Sequence, residues 1–112
     1  MNNKQLIKLS KQYFNAFSNQ SLSLLENIYA ENIELIDWDQ KIYGKQEVIA
    51  ANLAFFNSIK KIKVSVTKIH AFENSVACEI SININQQFDI KVLDLITWSD
   101  EGQILKIDAY RQ

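Results

Sequence analysis

The sequence predicts an α+β fold, with three N-terminal helices packed on one face of a curved antiparallel sheet. Two observations carry this. Apolar residues recur at helical spacing through the first half of the chain, then alternate with polar ones between short polar turns through the second. Their order also matters, since helices first and strands last segregate the two kinds of element instead of interleaving them.

Leu6, Leu9, Tyr13 and Phe17 recur at spacings of three and four, which makes one apolar stripe with Tyr13 central on it. Ser18-Asn19-Gln20-Ser21 breaks the pattern. Ser21 is placed to cap a second helix that turns Leu22, Leu25, Ile28 and Tyr29 toward the core, and Ser23 with Glu26 also has the spacing of a capping box. Residues 33–37 are expected to form a short strand whose period of two puts Ile33, Leu35 and Asp37 on one face. A loop is expected over 38–41. Gly44 then precedes a third helix over about 45–58, burying Val48, Ile49, Phe55 and Phe56. After Lys60-Lys61 the texture changes to strands over 63–72, 75–85, 88–98 and 103–111. Short polar turns at Glu73-Asn74, Gln86-Gln87 and Ser99 to Gly102 join them, which predicts an antiparallel meander.

A length of 112 residues fits one domain, 1–112. With 47% hydrophobic residues the chain can bury a real core, and two Gly and no Pro leave little room for long irregular loops. The formal net charge is −1 and no basic stripe is visible, which argues against nucleic acid as a partner. Arg111 is the only arginine, so bidentate phosphate clamps are scarce. A single cysteine, Cys78, excludes an internal disulfide and a cysteine-rich metal site. His70, the only histidine, has no ligand partners at metal spacing and is expected to be structural or exposed. No cofactor or metal is expected. The stretch from Met1 to Lys8 lacks the apolar core of a signal peptide, and no segment has the apolar length of a membrane span. A cytoplasmic protein without membrane contacts is the expectation.

Asp94 lies within the apolar run Ile90-Lys91-Val92-Leu93-Asp94-Leu95-Ile96-Thr97-Trp98. An ionised carboxylate buried there without a partner is too costly, so the group either finds a structural hydrogen bond or goes neutral by a raised pKa. A neutral carboxylic acid donates a hydrogen bond, which a carboxylate cannot. Tyr13 and Asp37 have structural readings of their own, as a core tyrosine with a boundary hydroxyl and as a strand-end turn residue. Val76, Cys78, Ile80, Ile82 and Ile84 alternate with Glu79, Ser81 and Asn83. Either face could line a pocket. If Glu79's face does, the apolar one is the surface of a homodimer, because the exposed side of a lone sheet must be covered or polar.

The element order, together with Tyr13 to Phe17, Ile28 to Asn32, Ile42 to Ile49, Trp98 to Ile104 and Asp108-Ala109-Tyr110, resembles the nuclear transport factor 2-like superfamily. That resemblance implies a cone-shaped pocket between sheet and helices. Within the superfamily the chain is most similar to the bacterial ketosteroid isomerases, whose site is a tyrosine on the first helix, an aspartate ending the first strand and an aspartate on the penultimate strand. Tyr13, Asp37 and Asp94 match those places, and Tyr29 matches a tyrosine that supports the first. The ketosteroid isomerases pair a base of near-ordinary acidity with an acid kept neutral by its apolar site, and the resemblance implies the same division here. Asp37 would then be the base, with Tyr13 and protonated Asp94 as donors to the developing enolate oxygen. Tyr29, Trp38, Asn52, Phe55, Glu79 and Arg111 are the expected substrate contacts.

The chain also departs from the isomerase pattern. Trp38 stands where proline usually follows the base, Asn52 stands near the place of another supporting tyrosine, and Arg111 replaces an apolar aromatic. A small hydrophobic or mixed-polarity carbonyl compound is therefore expected, rather than a steroid. Two other functions compete: a polyketide-cyclase-like aldol catalyst using similar groups, and a non-catalytic ligand-binding or dimerisation domain.

Overall fold

The computed structural model describes residues 1–112. Helix α1 spans Asn3–Ser18 and opens with a capping box. The Asn2 side chain accepts from Gln5 N at 2.8 Å, and Gln5 Oε1 accepts from Asn2 N at 2.9 Å, so two otherwise orphaned donors are satisfied. Leu6, Tyr13, Phe14 and Ala16 are buried along its inner face. Gln20 ends the turn in a left-handed conformation, φ 54°.

Helix α2 spans Leu22–Ile28. Ser21 does sit at its N-cap and its carbonyl accepts from Leu25 N, but its side chain makes no capping bond. Ser23 lies inside the helix, so the Ser23–Glu26 box does not form. Tyr29 leaves the helix with ψ 135° and opens strand β1, Tyr29–Ile36. This strand starts before the predicted one because a register shift between Tyr29 and Glu34 breaks its alternation, leaving Glu31 and Asn32 exposed beside buried Ala30 and Ile33. Part of the expected loop pairs back as strand β2, Lys41–Tyr43.

Gly44 precedes helix α3, Lys45–Asn57, at φ 92°. A Cβ there would meet open space, so the backbone angle alone asks for glycine. Strands β3 (Ile62–Phe72), β4 (Ser75–Ile84), β5 (Phe88–Trp98) and β6 (Ile104–Arg111) form the predicted meander. The sheet has six strands in the order β2-β1-β6-β5-β4-β3. Every neighbouring pair is antiparallel except β1 and β6, which run parallel, so the sheet is mixed.

Helix α1 packs on β3 and β4, and α3 on β1 and β2. Trp98 Nε1 donates to Ser10 Oγ at 3.1 Å, tying β5 to α1 inside the core. Val76, Cys78 and Ile80 are buried in this core, and Ile82 and Ile84 continue the same inner face. The apolar face of β4 is therefore interior and is not a dimer surface. Glu79 has the opposite parity and is exposed on the outer face, opposite Leu93 of β5 and Lys68 of β3. His70 is exposed. No helix is long and apolar enough to cross a membrane.

Candidate active site

Between the helices and the inner face of the sheet lies a cavity of about 280 Å³. Tyr13, Asp37 and Asp94 all line it, as do Tyr29, Trp38, Asn52 and Phe55. Three different elements deliver the first three. Tyr13 projects from the buried stripe of α1. Asp37 follows the last residue of β1 on the parity of Ile33 and Leu35. Asp94 faces inward from β5, opposite Cys78 of β4 and Ala109 of β6.

The two carboxyl groups are treated oppositely by their surroundings. Asp37 Oδ1 accepts from Asp39 N at 2.8 Å and Gln40 N at 3.0 Å, and its Oδ2 accepts from Gln40 Nε2 at 3.2 Å. Its own turn thus supplies the hydrogen bonds of a carboxylate. Asp94 is 7% exposed, and its carboxyl opens on the cavity and makes no side-chain hydrogen bond with the protein. Burial, and next the charge of Asp37, push its pKa from 3.8 up to about 7.

The phenols stay protonated. Burial raises the Tyr13 pKa well above 10.0, helped by Tyr29 and Asp94 nearby, and burial raises that of Tyr29 as well. Tyr29 donates to Asn52 Oδ1 at 2.6 Å, so Asn52, itself 6% exposed, orients the tyrosine that flanks Tyr13. Burial likewise pushes the Cys78 thiol up to about 12. No group of three or more His, Cys, Asp or Glu side chains is arranged to hold a metal ion.

Two expected contacts sit elsewhere. Glu79 is on the outer face and does not reach the cavity, because β4 turns its apolar parity inward. Arg111 stands at the rim, its guanidinium 5.9 Å from the ring centre of Trp38. Sequence reasoning missed Ile62 and Ile90, which form part of the wall, and left open whether the β4 face of Ile82 and Ile84 lines it, as it does. The pairing of Ile82 with Ile90 is in register with that of Cys78 with Asp94, so the face of Asp94 was the available signal.

A search of curated proteins finds no match. Solved structures resemble the chain closely in shape. A proposed ketosteroid isomerase from Kribbella flavida superposes with a TM-score of 0.86 at 14% identity, covering 98% of this chain and 79% of that one. A proposed SnoaL-like polyketide cyclase from Jannaschia sp. CCS1 gives 0.85 at 15% identity, covering 98% and 87%. An LEH-like epoxide hydrolase from M. tuberculosis also gives 0.85 at 15% identity, covering 98% and 84%. At such identities the likeness shows the fold alone, which serves several chemistries. The model of the SnoaL-like domain, by contrast, matches the sequence itself over residues 10–107, and the chain belongs to that family.

Proposed function

We propose that the chain is a proton-transfer enzyme acting next to the carbonyl of a small hydrophobic or mixed-polarity compound. The observation that carries this is the pair of carboxyl groups in one largely apolar cavity, one held as an acceptor and one left without partners. Asp37 takes a proton from the carbon beside the carbonyl and returns it at another carbon. Tyr13 and protonated Asp94 donate hydrogen bonds to the oxygen on which negative charge develops, and Tyr29, held by Asn52, supports Tyr13. Donors fixed in advance on developing charge commonly supply the largest share of catalysis. Phe55 and Trp38 would pack against the substrate body, with Arg111 beside the entrance. A space of about 280 Å³ holds roughly nine water-sized units, which favours a compact substrate over a steroid.

The same groups would serve an aldol cyclisation, a reading favoured by membership of the SnoaL-like family and by the cyclase-like neighbour. Epoxide hydrolysis in this fold would draw on an Arg–Asp pair, and Arg111 has no carboxylate within salt-bridge distance. Proton exchange tests the proposal. Small ketones and 1,3-diketones incubated with the protein in D₂O should gain deuterium beside the carbonyl, followed by NMR, and Asp37→Asn should abolish the gain. Exchange no faster than in buffer, across a panel of carbonyl compounds, would leave a ligand-binding domain.

We also propose a homodimer through the outer face of the sheet, where Leu93, Leu95 and Tyr110 gather on neighbouring strands. Sedimentation should give a dimer that Leu93→Lys dissociates. A wild-type monomer at micromolar concentration would remove this part.

A further inference from the structure

A second cavity, of about 510 Å³, opens where three segments meet: the α1–α2 turn, the link from α3 into β3, and the β4–β5 hairpin. Its lining includes Ser18, Gln20, Lys60, Lys61, Lys63 and Asn83, and no carboxylate. We propose that this cleft binds a phosphoryl group.

The lysine segment is fixed by its backbone. Asn85 Oδ1 accepts from Lys60 N at 2.7 Å and from Lys61 N at 3.0 Å, and Asn85 N donates to Lys61 O at 2.9 Å. On the other wall, Ser18 Oγ accepts from Val64 N at 2.9 Å. Three residues that frame the cleft, Gln20, Asn85 and Gln86, hold left-handed angles of 54°, 56° and 59° without being glycine. Asn85 and Gln86 are the central pair of the β4–β5 hairpin turn, where Gln87 N donates to Ile84 O at 3.0 Å and left-handed angles are the ordinary geometry.

The groups left over are mostly donors. None of the three ammonium groups has an ion-pair partner; the ion pairs of the molecule are Lys45 with Glu31 and Lys106 with Asp108, both elsewhere. Ser18 has used its oxygen as an acceptor and keeps its hydroxyl proton free. Gln20 Nε2 is enclosed and has no hydrogen-bond partner. Asn83 spends its amide on Asp89 and its oxygen on Gln86 N, which also keeps that neighbouring carboxylate occupied. Three point charges spread around a wide cleft suit a dianion with several oxygens better than a single carboxylate. Ile62 lines this cleft and the Asp37–Asp94 cavity alike, so a phosphoryl group here could also be the tail of a molecule whose body lies beyond Ile62.

The test is an amide NMR titration of the whole chain with inorganic phosphate and pyrophosphate in low-salt buffer. Shifts should saturate and centre on Gln20, Lys61, Lys63 and Asn83, and the affinity should fall at least about tenfold in Lys61→Ala/Lys63→Ala. If that double variant misfolds, Lys63→Gln alone should still weaken binding severalfold. Asp37→Asn should bind like the wild type, which separates this site from the proposed catalysis. Shifts that never saturate, that sodium chloride reproduces at equal ionic strength, or that the lysine variants leave unchanged would overturn the proposal. A butyl phosphate arm identifies the source. Tighter binding with shifts at the Ile62 methyls marks the tail of a larger molecule, and affinity equal to that of inorganic phosphate marks the free ion.

Discussion

Replacing Asp94 with asparagine should stabilise the fold, and by an amount that grows with pH. The folded pKa stands at about 7 against 3.8, chiefly through burial. Below the lower value both folded and unfolded chains carry the proton, so nothing is lost. Between the two values the unfolded chain ionises while the folded chain holds its proton, and stability falls as pH rises. Above the upper value both are ionised and the loss is complete. At about 1.4 kcal/mol per pH unit the full loss is roughly 4 kcal/mol, with about 2 kcal/mol of it present near pH 5.5. A domain of ordinary stability has only about 5–15 kcal/mol to lose, so the effect is large. Asparagine has no charge to bury. Urea unfolding of wild type and Asp94→Asn, compared at matched pH from about 4 to about 8, should show a gap that widens upward and then levels off. A gap that is constant across that range would mean that Asp94 titrates alike in both states, and its role as a neutral donor would fall with it.

Asp37→Asn should lower turnover by about 10²–10⁴ while preserving the Oδ1 bonds from Asp39 and Gln40. The same change should move the titration of Asp94 downward, read by carboxyl NMR, but leave it above 3.8 because burial is the larger cause. Tyr29→Phe should cost about 1–2 kcal/mol in thermal or urea unfolding, since it leaves the buried Asn52 Oδ1 without its donor. Cys78, buried and with its thiol pushed up to about 12, should react with a thiol reagent at neutral pH only as fast as the chain opens. Rapid labelling of the native protein would contradict the packing of β4.

The meander was legible because its turns are short and polar and its strands long and alternating. The inward side of β4 was not, since alternation states that two faces differ without saying which one meets the helices. Glu79 was misplaced for that reason. Tyr29 was assigned to a helix because Leu22, Leu25 and Ile28 continue to a fourth apolar position at helical spacing, and what draws it into a strand is pairing with distant Ile104. No local pattern encodes such a partner. Tyr13, Asp37 and Asp94 were legible as a group through family resemblance, and Asp94 alone through its apolar flanks. The hydrogen bonds that separate the two carboxyls were only half visible. The Asp37 turn is local in sequence, whereas the absence of any partner for Asp94 depends on three strands at once.

The parallel pairing of β1 with β6 sets an order of events during synthesis. Leu35 meets Ile107 and Ile36 meets Asp108 across most of the chain's length. As the chain emerges from the ribosome, β1 and β2 therefore wait as a two-stranded hairpin backed only by helices, too small to be stable by itself. The wall that carries Asp37 cannot join the wall that carries Asp94 until β6 arrives and bridges β1 to β5. Nascent chains arrested before β6 should expose the unsatisfied edges of both β1 and β5, which makes this interval the one in which the protein most needs chaperone protection.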